Sequence, residues 1–306
     1  MGLLTPGSIP MTRKEFALLT YLDQAEKKHS QRSIAASVGI SVGTVNKILA
    51  SLEEKEWITH ELKITAKGYE ALEPYRARRV IFLAAGLGAR LLPLTLNTPK
   101  PLIRVNGKRI IDTAIDAALA AGIEEIYIVR GHLAEQFDQL LNKYPQVRFL
   151  ENPAYNETNN ISSAMCARYL LKNAYVMEAD LIINTPGVIR KYNYTSCCLG
   201  VPVEKTDDWC IISSNGVAKQ LMQGGRNCHH LFSIYYWNAE DGAKLAQHIE
   251  DVYHSPGGKE RFWDLTPLSY YNKEYYVEIV ECRMSDVTEI DTLRELQAVD
   301  KAYCLL

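Results

Sequence analysis

Two glycines, an arginine and a proline-flanked lysine lie within residues 86–100 of this 306-residue chain. Gly86 and Gly88 carry no Cβ, so the backbone N–H groups around them can approach phosphate oxygens closely. Arg90 presents a planar, always-charged fork that matches such oxygens. Lys100 stands between Pro99 and Pro101, which bars it from a helix interior and holds its cation on a stiff, extended loop. Ahead of them, Val80-Ile81-Phe82-Leu83 is apolar and β-prone, the pattern of a buried strand, and Ala84 and Ala85 follow as small residues. A buried strand ending in a bare backbone loop with two cations is chemistry for a triphosphate. The stretch is not a dinucleotide fingerprint, because Leu91 stands at the third glycine. Nor is it a Walker A loop, because no Gly-Lys-Ser/Thr follows.

Other side chains farther along could complete such a site. Residues 174–180, AYVMEAD, read as an apolar strand ending in Asp180. A charge at the tip of a buried strand is costly unless it is paired or metal-bound. Asn159-Asn160 precedes a helix of small residues, which Asn160 could cap, and Asp291 could cap the helix after Glu289-Ile290. Trp209 follows Asp207-Asp208, and Phe262-Trp263-Asp264 follows a Ser-Pro-Gly-Gly loop. Aromatic faces with carboxylates suit a quaternary ammonium, which has no N–H to donate. Core packing is the competing role for each ring. His229-His230 has no partner at metal-ligand spacing and reads as loop.

The elements that must position these groups follow from periodicity. Residues 42–54 place Val45, Ile48, Leu49 and Leu52 on one helical face, with Ser41 as the cap, after a shorter helix over 31–38. Residues 57–59 and 62–64 suit a small wing, and Thr65 caps a last helix. Beyond a basic linker at 73–79, strands at 80–83, 125–130 and 147–151 alternate with helices at 112–121 and 134–143. That alternation implies a mostly parallel, doubly wound sheet, with ligands at the carboxyl ends of its strands. Gly86, Gly88 and Gly131 fall at those ends. Further strands are expected at 196–203, 209–213 and 231–237, with an Asn215-Gly216 hairpin turn and a helix at 240–253.

The net charge of −2 hides an asymmetry. Residues 1–79 hold 12 Lys and Arg against 9 Asp and Glu, and residues 80–306 hold 22 against 27. The seven cysteines include no C-x-x-C pair, which argues for free thiols in a reducing, cytoplasmic setting rather than a zinc site or disulfide framework. The first ten residues are too short and interrupted for a signal peptide, and no apolar run approaches spanning length.

Residues 83–102 resemble the signature LAAGxGxRLxPLTxxxPKPL of the nucleotidyltransferases that activate phosphorylated small molecules with an NTP. The resemblance implies a nucleotide pocket built from Leu83, Ala84, Ala85, Gly86, Gly88, Gly131, Asn159 and Asn160, with Arg90 and Lys100 as catalytic cations. It also implies Mg²⁺ held by Asp180 and Asp291. Over residues 79–300 the chain resembles the bacterial choline-phosphate cytidylyltransferases. In that family a choline cage would fall here on Trp209, Phe262, Trp263 and Asp264, with Glu289 near the cation. The implied reaction joins CTP and phosphocholine into CDP-choline, releasing pyrophosphate. Sugar-1-phosphate, phosphoethanolamine and aminoalkylphosphonate acceptors stay open, as does a DNA-binding regulator that only senses nucleotide. Residues 11–73 resemble a winged helix-turn-helix, whose third helix would offer Ser41, Thr44, Asn46 and Lys47 to DNA. The expected organisation is α/β: a small winged helix-turn-helix domain at 1–75, then a doubly wound, mostly parallel, Rossmann-like nucleotidyltransferase sheet at 76–306. No membrane partner is expected, and an oligomer is possible.

Overall fold

The computed structural model describes residues 11–24 and 30–305. The first ten residues, weighed above against a signal peptide, lie outside them. The described residues form two compact units that divide between Arg76 and Ala77. No single described helix is long and apolar enough to cross a membrane.

The first unit holds helices α1 (Arg13–Gln24), α2 (Gln31–Val38), α3 (Val42–Glu54) and α4 (Ala66–Leu72). Ser30, Ser41 and Thr65 accept backbone N–H groups of Ser33, Thr44 and Gly68 at the starts of α2, α3 and α4, satisfying donors that each helix start leaves free. Leu18, Leu19, Ile34, Val45, Ile48, Leu49 and Leu52 close one small core. The expected wing is reduced to a single bridge between Ile58 and Ile64, with the chain between them reversing through Leu62 at φ +62°.

The second unit begins with β1 (Arg79–Ala84), followed by the short strands β2 (Arg104–Val105) and β3 (Lys108–Arg109), then helix α5 (Ile110–Ala120). Strands β4 (Glu125–Arg130) and β5 (Val147–Glu151), helix α6 (Ile161–Ala167), and strands β6 (Ala174–Glu178) and β7 (Leu181–Ile183) come next. The long strands β8 (Cys197–Ser214) and β9 (Val217–Trp237) precede helix α7 (Ala239–His254). Strands β10 (Glu278–Glu281) and β11 (Val287–Glu289) and helix α8 (Leu293–Val299) close the unit. The main sheet runs β10-β8-β9-β6-β1-β4-β5. Pairs β1–β4, β1–β6, β4–β5 and β8–β10 are parallel, and β9 is antiparallel to β6 and β8.

Successive strand side chains point to opposite faces, and both faces are covered. Val80, Phe82, Ile126, Ile128, Tyr175 and Met177 pack under Ile111, Ala114 and Ile115 of α5. Ile81, Leu83, Val129, Ala174 and Val176 share the other core with Ile161 and Ala164 of α6 and Leu245 and Ile249 of α7. This two-sided burial is why the central strands read as continuous apolar runs.

Local details depart from the periodicity. Residues Ala134–Asn142 form a 3₁₀ helix rather than an α-helix; its buried residues, Phe137 and Leu140, sit three apart, the repeat of that tighter turn. The strands expected at 196–203 and 209–213 are one strand, since the polar residues between them still pair, Lys205 with Arg226 and Thr206 with Gly225. His229 and His230 lie within β9 rather than in a loop. Thr292, not Asp291, caps α8.

The packing of α7 is close enough to test. A Cβ built on Gly242 would lie 2.3 Å from the Leu171 carbonyl oxygen, a backbone atom that cannot rotate away. Gly242→Ala is expected to destabilise this unit by about 1–3 kcal/mol in urea unfolding. Gly187→Ala, where nothing lies within 4 Å, should stay within about 0.5 kcal/mol of the parent.

Candidate active site

The loop after β1 and the ends of two distant strands form one cleft of about 260 Å³. Leu83, Ala84, Gly86, Gly88, Arg90, Lys100, Glu178, Asp180 and Asp291 all line it. Gly88 adopts φ +62°, and a Cβ there would come within 2.9 Å of Thr95 and 3.2 Å of Lys100. Gly86 has open space where its Cβ would be.

Lys100 begins a single 3₁₀ turn, Lys100–Leu102, rather than a fully extended loop. Its ammonium donates to Asp180 Oδ2 at 2.7 Å and to Asp291 Oδ1 at 2.9 Å. Burial opposes its charge, yet the Asp180 and then the Asp291 carboxylate outweigh that and hold the ammonium above its usual value. Arg90 grips the same Asp291 with both terminal nitrogens, at 2.7 and 2.9 Å, the two-pronged geometry typical of guanidinium and carboxylate. The neighbours of this pair, Leu91 and Ile290, are fully buried in one small cluster with Ile103, Val105, Ile110 and Leu296. That cluster fixes where Arg90 and Asp291 emerge.

Two elements bring the acids together. β7 starts directly after Asp180, and β11 ends two residues before Asp291. They pair antiparallel, with Leu181 opposite Glu289, and the Ile290 N–H donates to the Asp180 carbonyl at 3.3 Å.

The residues fit a divalent cation. Asp180, Glu289 and Asp291 each offer a carboxylate oxygen, all within 4.8 Å of one another. Asp180 Oδ1 is buried without a hydrogen-bond partner, a position an oxygen-seeking ion would satisfy.

A second cavity, about 180 Å³, adjoins the first across Leu83, Gly86 and Glu178. Ala85, Asn159 and Asn160 line it, together with Asn152, Tyr155, Thr158, Ser162 and Ser163. Asn160 stands at the start of α6, but its side chain makes no cap bond. Its amide donates to Glu178 at 2.9 Å and accepts the Trp263 N–H at 3.0 Å. Gly131 lines neither cavity; it abuts the Tyr155 ring, which a Cβ there would meet at 2.6 Å. Glu178 escaped the sequence reading. Burial, and then the charges of Asp180 and Asp264, push its carboxyl up to about 8. The signal for it was available, since it sits two residues before Asp180 at the end of an apolar strand.

The expected aromatic cage is only half assembled. Trp209 and Phe262 meet edge to face with centroids 5.3 Å apart, and Phe262 is 37% exposed. Trp263 is 1% exposed, its ring packed edge-on against Tyr235 and Trp237. Asp264 is buried and accepts the Tyr235 hydroxyl at 2.9 Å. Trp263 and Asp264 therefore stand in the core rather than on an open cage wall: the ring's apolar area won the competition between packing and exposure. Glu289 lies beside the cleft, against Asp180 and Asp291, where burial and then Asp180, Asp291 and Asp208 push it up to about 8.

The chain matches the family model described as nucleotidyl transferase over residues 79–198 and that described as wHTH-PRTase associated over residues 19–85. It is 36% identical over 230 residues to a 2-aminoethylphosphonate cytidylyltransferase of Lancefieldella rimae, covering 74% of this chain and 93% of the relative. It is 31% identical over 225 residues to a choline-phosphate cytidylyltransferase of Streptococcus pneumoniae, covering 73% and 97%. The solved structure of CTP:phosphocholine cytidylyltransferase from Streptococcus pneumoniae superposes with a TM-score of 0.68 at 30% identity, over 74% of this chain and 99% of that one.

Asp264 makes the buried wall pH-sensitive. Burial pushes its carboxyl from 3.8 to about 6, against the Tyr235 hydrogen bond. The folded state thus holds this proton more tightly than the unfolded chain, a contribution fully present below pH ~4 and lost as pH rises through ~6. Relative to Asp264→Asn, the parent should lose about 2–3 kcal/mol of stability between pH 4 and 7. Paired urea titrations check this, and parallel pH profiles would show that Asp264 is not held protonated.

Proposed function

The chain belongs to the nucleotidyltransferases, among the cytidylyltransferases, and on that premise we propose that it transfers cytidylyl from CTP to a small acceptor carrying a phosphate or phosphonate and an amine. The observation that supports this most is Lys100 bridging Asp180 and Asp291 beside the bare loop of Gly86 and Gly88. An acceptor oxygen attacks the α-phosphorus, one P–O bond forms, and the bond to the β-phosphate oxygen breaks to release pyrophosphate. The attacking oxygen is already anionic, so no side chain need act as a base.

Catalysis then consists of positioning and charge neutralisation. Arg90 and the loop N–H groups receive the β- and γ-phosphates, which carry the leaving charge. Lys100 steadies the α-phosphoryl, its ammonium kept charged by two carboxylates. Asn159 and Asn160 fix the nucleoside end of the pocket. Asp180 and Asp291 would hold Mg²⁺, which supplies further charge neutralisation to the polyphosphate.

Two acceptor classes compete. The Trp209–Phe262 pair favours phosphocholine, whose methylated cation suits aromatic faces. The burial of Trp263 and Asp264 favours a primary amine, such as an aminoalkylphosphonate or phosphoethanolamine, because it removes half of the cage a methylated cation would use. The stronger relative reported above, the 2-aminoethylphosphonate enzyme, points the same way.

We further propose that the N-terminal module, residues 1–75, binds DNA through α3, where Asn46 and Lys47 are exposed and Val45, Ile48 and Leu49 face the core. Retention on a DNA column should then fall steeply with salt; a flat response near background would remove this role.

The catalytic assignment predicts that Lys100→Ala and Asp180→Ala each lower kcat/KM by about 100-fold or more while folding is retained. Pyrophosphate release measured across four NTPs should favour CTP. Near-parent turnover in either variant would remove that residue from the mechanism.

A further inference from the structure

The β8–β9 arm brings a second group of side chains beside Glu289. In β8, Thr206 pairs with Gly225 and Trp209 with Gln223, so Asp207 and Asp208 together face one residue of β9. Such a bulge bends a strand and re-aims its side chains. Cys210 and Ile211 then pair both with Met222 and Leu221 and with His230 and His229, so the hairpin curls over on itself. The curl sets Asp208 beside His230. Asp208, His230 and Glu289 each offer one polar atom, and the three lie within 4.8 Å of one another. Glu289 belongs equally to the group formed with Asp180 and Asp291, so the trio adjoins the two carboxylates that line the cleft.

We propose that Asp208, His230 and Glu289 form the pocket for the acceptor's cationic end and select a primary ammonium over a trimethylated one. This rests on the cytidylyl-transfer reading above. Three atoms within 4.8 Å of one another leave room for a nitrogen at about 2.8 Å from each, an ordinary hydrogen-bond length. A primary ammonium has three N–H donors for three acceptors. A trimethylammonium has none, and its methyl groups would keep it beyond that distance while desolvating acceptors it cannot satisfy.

Two independent features agree. Carboxylates gather here: Glu178, Asp180 and Asp291 line the cleft, and Glu289 links Asp180 and Asp291 to Asp208, while Lys100 and Arg90 are the cations hydrogen-bonded to Asp180 and Asp291. A cationic acceptor would offset this gathered negative charge. Trp209, next in sequence to Asp208 and paired with Phe262, is placed to cover the short alkyl chain joining the ammonium to the phosphorus.

The test compares 2-aminoethylphosphonate, phosphoethanolamine and phosphocholine with the full chain, CTP and Mg²⁺, reading pyrophosphate. The parent should favour the primary amines by about tenfold or more in kcat/KM. Asp208 is exposed, so Asp208→Asn should fold; it should raise the acceptor KM about tenfold, shift the CTP KM less than about twofold, and narrow the preference. His230→Phe should narrow it likewise. A parent that turns over phosphocholine as well or better, or an Asp208→Asn variant with the parent's preference, overturns this pocket and leaves cytidylyl transfer standing. A second Mn²⁺ per chain that Asp208→Asn abolishes overturns it in favour of a metal site. No pyrophosphate with any acceptor overturns the cytidylyl-transfer reading, and this inference with it.

Discussion

Like charges do not gather without a reason, and the active end of this molecule gathers them around one ammonium. Lys100 joins Asp180 and Asp291, two acids that the chain supplies from far-apart segments. What permits this is a three-residue ladder, β7 against β11, with Leu181 opposite Glu289 and Ile183 opposite Val287. The ladder sets the acids next to each other; the lysine makes their proximity tolerable. Removing the cation would leave two half-buried carboxylates facing each other, which is costly. The main sheet serves this arrangement by carrying β1 and β6 side by side, so that the glycine loop and Asp180 emerge at the same edge.

Much of this was legible in the sequence, for a physical reason in each case. The strand at 80–83 and the loop at 84–88 are local features, written in apolar runs and small residues, and the helices of the first unit carry their caps at Ser41 and Thr65. The placing of Arg90 and Lys100 beside the glycine loop was legible because prolines and glycines constrain their backbone directly. The convergence of Asp180 with Asp291 was not visible in any local pattern; it came from the resemblance, and the register of β7 and β11 supplies the physical account.

What stayed hidden depended on long-range packing. Trp263 and Asp264 read as cage residues because an aromatic beside an acid looks the same in a core and in a pocket; only the long-range packing of Trp263 edge-on against Tyr235 and Trp237 shows its burial. His230 read as loop because its neighbours in space, Asp208 and Glu289, lie in other strands. Neither composition nor spacing encodes a bulge that turns Asp208 toward a histidine across a curled hairpin. The glycine-loop side of the cleft is thus written locally, whereas the grouping of Asp208, His230 and Glu289 depends on the curl of β8 and β9.

Asp180 and Asp291 are expected to meet at one divalent ion beside the glycine loop. Anomalous diffraction from crystals grown with Mn²⁺ and a non-hydrolysable CTP analogue tests that most directly. A manganese peak within bonding distance of both carboxylates, with the triphosphate reaching Arg90 and Lys100, is the predicted result. A peak bound to neither acid, or a triphosphate lying away from residues 86–90, would contradict it.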